Sequence, residues 1–202
     1  MKLPEFYKIG PPVISFELFP PRTARSLSEL EERLPGLISL NPSFMTVTYG
    51  ALGSTRDRTL EIASLLKNAY GMETAHHLTC VGATKADITE TLTEMQRHNI
   101  ENIVALRGDP PEENGIFVPK ENGLSHGNQL VQHIREFADF GIAVAGYPEK
   151  HIEAHDYTTD LQYLKSKVDS GAEVIITQLF YDNQHFYRFV EECRAIGITQ
   201  PI

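Results

Sequence analysis

Cysteine is scarce in this sequence. The two cysteines, Cys80 and Cys193, form no CxxC pair and are too few for a disulfide framework. Since disulfides concentrate in secreted proteins, this scarcity indicates a reducing compartment. We therefore expect both thiols to be reduced and buried in the core of a cytoplasmic protein.

Long apolar segments are also missing. No run approaches the roughly 20 residues that a membrane-spanning helix requires. The first residues, MKLPEFYKIGPP, are interrupted by prolines and lack the apolar core of a signal peptide, so no secretory leader is expected. These absences predict a soluble, cytosolic protein without a membrane partner.

Basic residues are in deficit. The chain carries 18 Lys and Arg against 27 Asp and Glu, a formal net charge of −9, and has no block of basic residues. This balance argues against nucleic acid or an anionic membrane as the main partner. It leaves room for a small anionic ligand, which needs only a few local donors.

Short apolar or β-branched runs alternate with longer stretches of helical periodicity. This strict alternation predicts a parallel sheet, in either a barrel or a doubly wound fold. The predicted strands are 13–19, 43–48, 74–81, 102–106, 141–146 and 173–179.

The intervening helices have recognisable end signals. Ser26 and Glu29 have the spacing of a capping box, which predicts a helix that opens at Ser26. Three later helical segments run up to a glycine that is expected to cap them: Gly141, Gly171 and Gly197.

Polar residues recur near the predicted strand ends at nearly constant spacing. A regular unit favours a (β/α)8 barrel over a doubly wound sheet, and no GxGxxG follows the first strand. The residues are Glu17, Thr48, Thr79, Asp109, Tyr147 and Gln178.

The barrel prediction conflicts with the length of the chain. A (β/α)8 barrel typically needs about 250 residues, and the 202 residues reach only the possible start of a seventh strand at Pro201-Ile202. We therefore expect a single domain, 1–202, with about six of eight βα units. The chain is then either a fragment or completed by a partner.

Glu17 is the most unusual residue in the first strand, VISFELFPPRT, because a carboxylate among apolar residues needs a reason. Burial would raise its pKa and suit a general acid. Alternatively it is a structural carboxylate paired with an arginine such as Arg107. Arg107-Gly108-Asp109 is likewise either a solvated turn or part of the barrel rim.

Two histidine pairs are candidate ligands. His151 and His155 have the i, i+4 spacing of a metal pair, but no HExxH motif or further ligand cluster accompanies them, so no metal site is predicted. His76 and His77 are neighbours on one strand, so only one of them can face inward.

Six segments in this order and spacing resemble the catalytic domain of methylenetetrahydrofolate reductase, over nearly the whole chain. They are SFELFPPRT, PSFMTVTYGA, TAHHLTC, NIVALRGDPP, GYPEKHIEA and DLQYLKSKVDSGAEVIITQLFYD. The resemblance implies a (β/α)8 barrel that binds FAD non-covalently. It also implies a cytoplasmic homo-oligomer in one-carbon and methionine metabolism, which uses NADH or NADPH to reduce 5,10-methylenetetrahydrofolate to 5-methyltetrahydrofolate in ping-pong order.

The resemblance also implies site residues. Glu17 matches the general acid, Asp109 an acidic residue near both the flavin and the folate pterin, and Gln178 a substrate-binding glutamine. One departure is His126-Gly127, where family members usually have an aromatic and a small residue, and it bears on adenine stacking. The matched flavin contacts are Thr48, Tyr49, Ala51, His77, Arg107, Gly108, Asp109, Tyr147, His151, Ala154, Asp160 and Lys167.

Two other readings stay open at this point. A barrel lyase without flavin would need a Schiff-base lysine or a metal inside the barrel, and no lysine lies at a strand centre. An inactive barrel could instead act as an interaction partner, since open edges at strands one and six would recruit other chains.

Overall fold

A computed structural model describes residues 1–8, 10, 12–21, 23–49, 56–109 and 117–202, without the side chains of 24–26, 56 and 57. Six parallel strands form one sheet in the sequential order β1-β2-β3-β4-β5-β6. The strands are β1 Ser15–Leu18, β2 Phe44–Val47, β3 Thr74–Thr79, β4 Asn102–Leu106, β5 Gly141–Gly146 and β6 Val174–Thr177.

Helices alternate with these strands, which gives a half-barrel and confirms the predicted partial (β/α)8 architecture. All six predicted strands are present, some shorter by a few residues. The helices are α1 Leu3–Phe6, α2 Ala24–Ile38, α3 Arg56–Ser64 (continued by a π-helical turn, Leu65–Ala69), α4 Lys85–Arg97, α5 Gly127–Phe137, α6 Tyr157–Asp169 and α7 Asn183–Ala195.

Two predicted helix ends are wrong. The helix expected to open at Ser26 begins at Ala24, so Ser26 lies inside it. Gly141 does not cap α5, which ends at Phe137, but is the first residue of β5. Glycine is needed there because a Cβ would lie 2.3 Å from Oδ1 of Asn102 on the neighbouring strand.

The other two glycines are confirmed as helix terminators. Gly171 follows α6 with φ +118° and Gly197 follows α7 with φ +81°, a backbone region that side-chain-bearing residues rarely adopt. A capping box opens α4, although no box at this helix is among the sequence-based predictions. The Thr84 and Asp87 side chains each accept from the other's backbone N–H, at 3.2 and 2.8 Å.

The two faces of the sheet pack against different partners. The outer face contributes Met45, Leu78, Ile103, Ile142 and Ile175 to a large core shared with the helices. Both cysteines are buried and free, as predicted, and burial raises the pKa of Cys80 to about 12.

The inner face has a smaller apolar cluster at the amino-terminal end of the strands. There α1 covers the sheet: Leu3 is fully buried, and its N–H donates to Oδ1 of Asn102 at 2.8 Å. The inner-face members are Phe44, Ala75, Val104, Ala143 and Val174. Because apolar side chains fill the amino-terminal end of the inner face, we expect a polar ligand to bind at the carboxyl ends of the strands.

The polypeptide after α7 returns to the sheet beside β6. Ile175 N–H donates to the carbonyl of Pro201 at 2.9 Å, where the sequence predicts a seventh strand to begin. Among the described residues, no helix has both the length and the apolar character needed to cross a membrane.

Candidate active site at the carboxyl ends of the strands

Six consecutive segments deliver polar side chains, and in one case a close backbone approach at Gly108, to one end of the sheet, because parallel strands bring their carboxyl ends to the same edge. Glu17 lies in β1 and His77 in β3, while the remaining residues directly follow their strands. These are Thr48 and Tyr49 after β2, Arg107, Gly108 and Asp109 after β4, Tyr147 after β5, and Gln178 after β6.

Glu17 is not buried, contrary to the sequence-based expectation. Its side chain is 48% exposed. Successive side chains of a strand alternate between faces, so Phe16 and Leu18 pack toward the helices while Glu17 points to the inner face. The apolar residues Phe16 and Leu18 therefore indicate that the outer face of β1 is buried, and they do not indicate burial of Glu17.

The partner of Glu17 is His77 rather than Arg107. Oε2 of Glu17 lies 3.6 Å from Nε2 of His77, whose side chain is only 9% exposed. Burial lowers the pKa of His77 to about 4, so the imidazole is neutral at pH 7. The contact therefore joins a carboxyl group to a neutral ring and is not an ion pair at that pH.

The prediction that only one of the paired histidines faces inward is confirmed. His77 belongs to the inner face, whereas His76 is fully buried on the outer face, with its ring 6.3 Å from that of Tyr49 in an edge-on arrangement. His76 therefore faces the helices rather than the inner face.

Three buried polar atoms on the inner face have no hydrogen-bond partner within the described part of the chain. They are Oγ1 of Thr46, Nε2 of His77 and Oγ1 of Thr79. A buried polar group without a partner costs free energy, commonly about 1–3 kcal/mol. These atoms are therefore suited to receive the polar groups of a bound molecule.

Arg107 joins the loops that follow β4 and β5. Its Nη1 and Nη2 donate to the two carboxylate oxygens of Glu153 at 2.5 and 2.8 Å, and its guanidinium lies 4.9 Å from the ring centroid of Phe117. The pair raises the pKa of Arg107 and lowers that of Glu153. The Arg-Gly-Asp segment is thus held at the rim rather than being an isolated solvated turn, and Asp109 remains exposed.

Gly108 is required by its surroundings. It has φ +88°, and a Cβ there would lie 2.6 Å from Cγ1 of Val81. The backbone therefore comes close to the end of β3 and presents no side chain at this point.

The loop after β5 folds back on itself around His151. The His151 ring packs edge-on to Tyr147 with 4.7 Å between centroids, and the backbone N–H of His151 donates to Oδ2 of Asp160 at 2.9 Å. Nζ of Lys150 donates to the carbonyl of the buried Ala154 at 2.6 Å. Burial raises the pKa of Tyr147.

Lys167 reaches this loop from α6. Its Nζ donates to the carbonyl of Ala145 at 2.6 Å and lies 5.9 Å from the ring centroid of Tyr147. Burial lowers the pKa of Lys167 to about 8, an effect that Asp160 partly opposes. No carboxylate of the described residues lies within 4.0 Å of this ammonium, so it is placed to accept an anionic ligand.

The remaining predicted residues lie apart from these contacts or outside the described chain. Gln178 is exposed, and its Oε1 accepts from the N–H of Leu179 at 3.0 Å. Ala51 falls within 50–55, outside the described residues. His126 and Gly127 lie at the start of α5, where a Cβ on Gly127 would be 3.4 Å from Cδ of Lys167.

The histidines of HIEAH have separate partners. His155 Nδ1 lies 2.9 Å from Oδ2 of Asp156, away from the His151–Tyr147 contact. Over the ranges that the structure describes, no group of three or more His, Cys, Asp or Glu is arranged to hold a metal ion.

Two residues of the site were missed by sequence reasoning. Thr46 precedes Thr48 by two positions in FMTVT, so strand alternation placed it on the same face. Glu153 lies within HIEAH, between the two histidines. Its pairing with Arg107, 46 residues away, left no local signal.

Comparison with known proteins identifies the family of the chain. The family model for methylenetetrahydrofolate reductase matches residues 2–202. A probable methylenetetrahydrofolate reductase (NADH) from Oryza sativa is 47% identical over 212 residues, which cover 100% of this chain and 36% of the relative. The 5,10-methylenetetrahydrofolate reductase of Escherichia coli is 43% identical over 189 residues, which cover 94% of this chain and 62% of the relative.

Solved structures with the same fold are much less similar in sequence. A phosphoenolpyruvate phosphomutase from Streptomyces platensis has a TM-score of 0.65 at 13% identity, covering 98% of this chain and 69% of that one. An uncharacterized protein from Clostridium thermocellum that binds two copies of 5-methyl-5,6,7,8-tetrahydrofolic acid has a TM-score of 0.59 at 14% identity, covering 95% and 62%. At these identities the likeness shows the (β/α)8 fold alone.

This chain matches only part of the length of its relatives. The chain spans about a third of the rice relative and under two thirds of the bacterial one. The family model nevertheless covers residues 2–202, which include all six strand ends described above. This chain belongs to the methylenetetrahydrofolate reductase family.

Proposed function

We propose that this chain carries the site for reduction of 5,10-methylenetetrahydrofolate to 5-methyltetrahydrofolate by a reduced nicotinamide through FAD. The observation that supports it best is the placement of Glu17 on the inner face, beside a neutral histidine and at the same end of the sheet as Asp109. Family membership supports the substrate, and the rice relative carries NADH in its name. We therefore propose NADH as the preferred reductant, with NADPH as the alternative.

The residues present fit a flavin dinucleotide. The hydroxyls of Thr46 and Thr79, which lack a partner among the described residues, can bond a polar ring edge. Gly108 leaves the approach open, and Lys167 is a desolvated cation suited to a diphosphate. When bound, FAD would pass the hydride between nicotinamide and folate in turn, which is the basis of the ping-pong proposal. The proposed contacts are Thr48, Tyr49, Ala51, His77, Arg107, Gly108, Asp109, Tyr147, His151, Ala154, Asp160 and Lys167.

The chain's own residues supply the proton chemistry and orientation in this proposal. Glu17 donates a proton to the leaving nitrogen of the folate's five-membered ring as the carbon–nitrogen bond breaks and its electron pair stays on nitrogen. Asp109 accepts hydrogen bonds from the pterin, and Gln178 bonds the substrate from the end of β6. The exposure of Glu17, Asp109 and Gln178 suits groups that meet a substrate entering from solvent.

The test follows the visible absorbance of the purified protein with FAD under anaerobic conditions. We expect NADH to bleach the bound flavin and methylenetetrahydrofolate to restore its colour, with Glu17→Gln blocking only the second step. A protein that binds no FAD, even when extended to the full length of the bacterial relative, contradicts the proposal. That result would favour the lyase without flavin or the interaction partner.

Two further properties of the proposed enzyme stay predictions. A homo-oligomer would be identified by light scattering of the purified protein, and a cytoplasmic location by fractionation of the cells that express it.

A further inference from the structure

Glu17 and His77 meet across a strand that separates them. The two residues belong to β1 and β3, which pair with β2 on either side and not with each other. Neighbouring strands lie about 4.8 Å apart, so alternate strands are separated by about 10 Å. A 3.6 Å contact between side chains of β1 and β3 therefore requires both to lean over β2.

Thr46 is the residue that the contact crosses. Thr46 lies directly opposite Glu17 of β1 and opposite Ala75 of β3. His77 follows Ala75 by two residues and therefore lies on the same face. The Thr46 side chain is short and buried, and its hydroxyl has no hydrogen-bond partner among the described residues. A larger side chain at this position would occupy the space over which the glutamate and the histidine meet.

The charged surroundings of His77 are limited. Glu17 is the only described carboxylate that lies within 4.0 Å of its ring, and β2 contributes the hydroxyls of Thr46 and Thr48. From the side of β4 the charged groups are Arg107 and Asp109, and Arg107 is engaged by Glu153. His77 is therefore a neutral donor or acceptor that faces one carboxyl group.

We propose that His77 is the positioning residue for Glu17. Its neutral Nε2–H lies 3.6 Å from the Glu17 carboxyl group and has no hydrogen-bond partner among the described residues, so a small side-chain movement lets it donate to one carboxyl oxygen. The other oxygen then carries the proton that passes to the substrate nitrogen. This role rests on the proposed function. When the proton leaves, the resulting carboxylate keeps the hydrogen bond from His77, which stabilises the charge that forms. A cationic imidazolium would instead favour the ionised carboxylate before the reaction and reduce the amount of acid.

The first test measures the pairing without substrate or cofactor. In ¹⁵N-labelled protein, long-range ¹H–¹⁵N spectra report which ring nitrogen of each histidine carries the proton, and His77→Gln identifies the His77 signals by their loss. We expect the Nε2–H tautomer at pH 7 and a shift of the Nε2 resonance in Glu17→Gln. An Nδ1–H tautomer, or signals that Glu17→Gln leaves unchanged, would overturn the proposal.

The second test compares two substitutions of His77 in the loaded enzyme. Glutamine keeps an N–H donor near the position of Nε2, whereas leucine of similar size has none. We expect His77→Leu to slow flavin reoxidation by methylenetetrahydrofolate about 100-fold, as for a misplaced catalytic group, and His77→Gln to recover most of that loss. Bleaching by NADH should change far less in both variants. Equal losses in the two variants, or equal losses in both half-reactions, would indicate a merely structural or flavin-binding role.

A control separates these effects from the general loss of a histidine. His133 bonds Thr89 Oγ1 between α4 and α5 on the outside of the sheet, so His133→Gln should leave both half-reactions unchanged. If the wild-type protein shows no reductase activity but the spectra show the paired tautomer, the proposed function fails while the pairing stands. If the enzyme is active but the two His77 variants behave alike, the proposed function stands and the positioning role of His77 fails.

Discussion

The carboxyl group of Glu17 and the imidazole of His77 meet at 3.6 Å although their strands are not neighbours in the sheet. The curvature of the half-barrel brings alternate strands toward each other on the inner face, where side chains converge. Thr46, on the strand between them, leaves the space that this contact needs. The contact between Glu17 and His77 therefore depends on the size of a third side chain.

Enlarging Thr46 should disrupt the contact between Glu17 and His77. We expect Thr46→Leu to slow flavin reoxidation by methylenetetrahydrofolate about 100-fold, by moving the acid from its position. Thr46→Val, which keeps the shape and removes only the hydroxyl, should lose much less. Stopped-flow absorbance on both variants measures the difference. Similar rates in the two variants would show that side-chain size at this position does not control the acid.

Flavin affinity should depend on the charge of Lys167. Its lowered pKa of about 8 means that the ammonium is present below pH 8 and is lost as the pH rises above it. We expect the Kd for FAD to rise between pH 7 and 9.5. Lys167→Met should raise the Kd about tenfold at pH 7, as for a lost charge-assisted hydrogen bond. Fluorescence quenching of FAD measures both.

Lys165 provides the matched control for Lys167. It lies on the same helix but pairs with Asp169. Lys165→Met should keep the wild-type affinity and its pH dependence. If Lys165→Met and Lys167→Met weaken FAD binding equally, the loss is caused by the change in net charge and not by a contact between Lys167 and the diphosphate.

The Arg107–Glu153 pair should contribute to stability in a pH-dependent way. Glu153 has a lowered pKa in the folded protein, so the contribution is present above its ordinary value of 4.5 and is lost as the pH falls through the lowered value. Because Glu153 is partly exposed, solvent screening limits the coupling to about 1 kcal/mol. A double-mutant cycle of Arg107→Gln and Glu153→Gln, followed by urea unfolding at pH 7 and pH 3, measures it. Equal coupling at the two pH values would contradict the assignment.

Replacing Gly108 should destabilise the rim. Gly108→Ala places a Cβ 2.6 Å from Val81 in a backbone conformation with φ +88°, and we expect a loss of about 1–3 kcal/mol in the free energy of unfolding. Adding Val81→Ala should recover part of this loss by removing the clash.

Gly36 provides the control, because it lies inside α2 with nothing within 4 Å of its Cβ position. Gly36→Ala should therefore stabilise the protein, by about 0.5–1 kcal/mol. Urea unfolding of the variants distinguishes strain from a general effect of added methyl groups.

The alternation of strands and helices could be predicted because its signals are local. Apolar runs of strand length, helical periodicity and glycines such as Gly171 and Gly197 act within a few residues of the chain. The same alternation places the carboxyl ends of all six strands together, so residues as distant as Glu17 and Gln178 could be assigned to one edge. These features follow from the sequence by itself.

Contacts between distant segments were decided by the tertiary structure. The apolar neighbours of Glu17 suggested burial, but the pleat of β1 turns it to the inner face, and the curvature of the sheet then selects His77 as its partner. Arg107 similarly finds Glu153 on the next loop. Local patterns determine which face a side chain occupies, whereas its partner and exposure depend on distances that exist only once the strands have assembled.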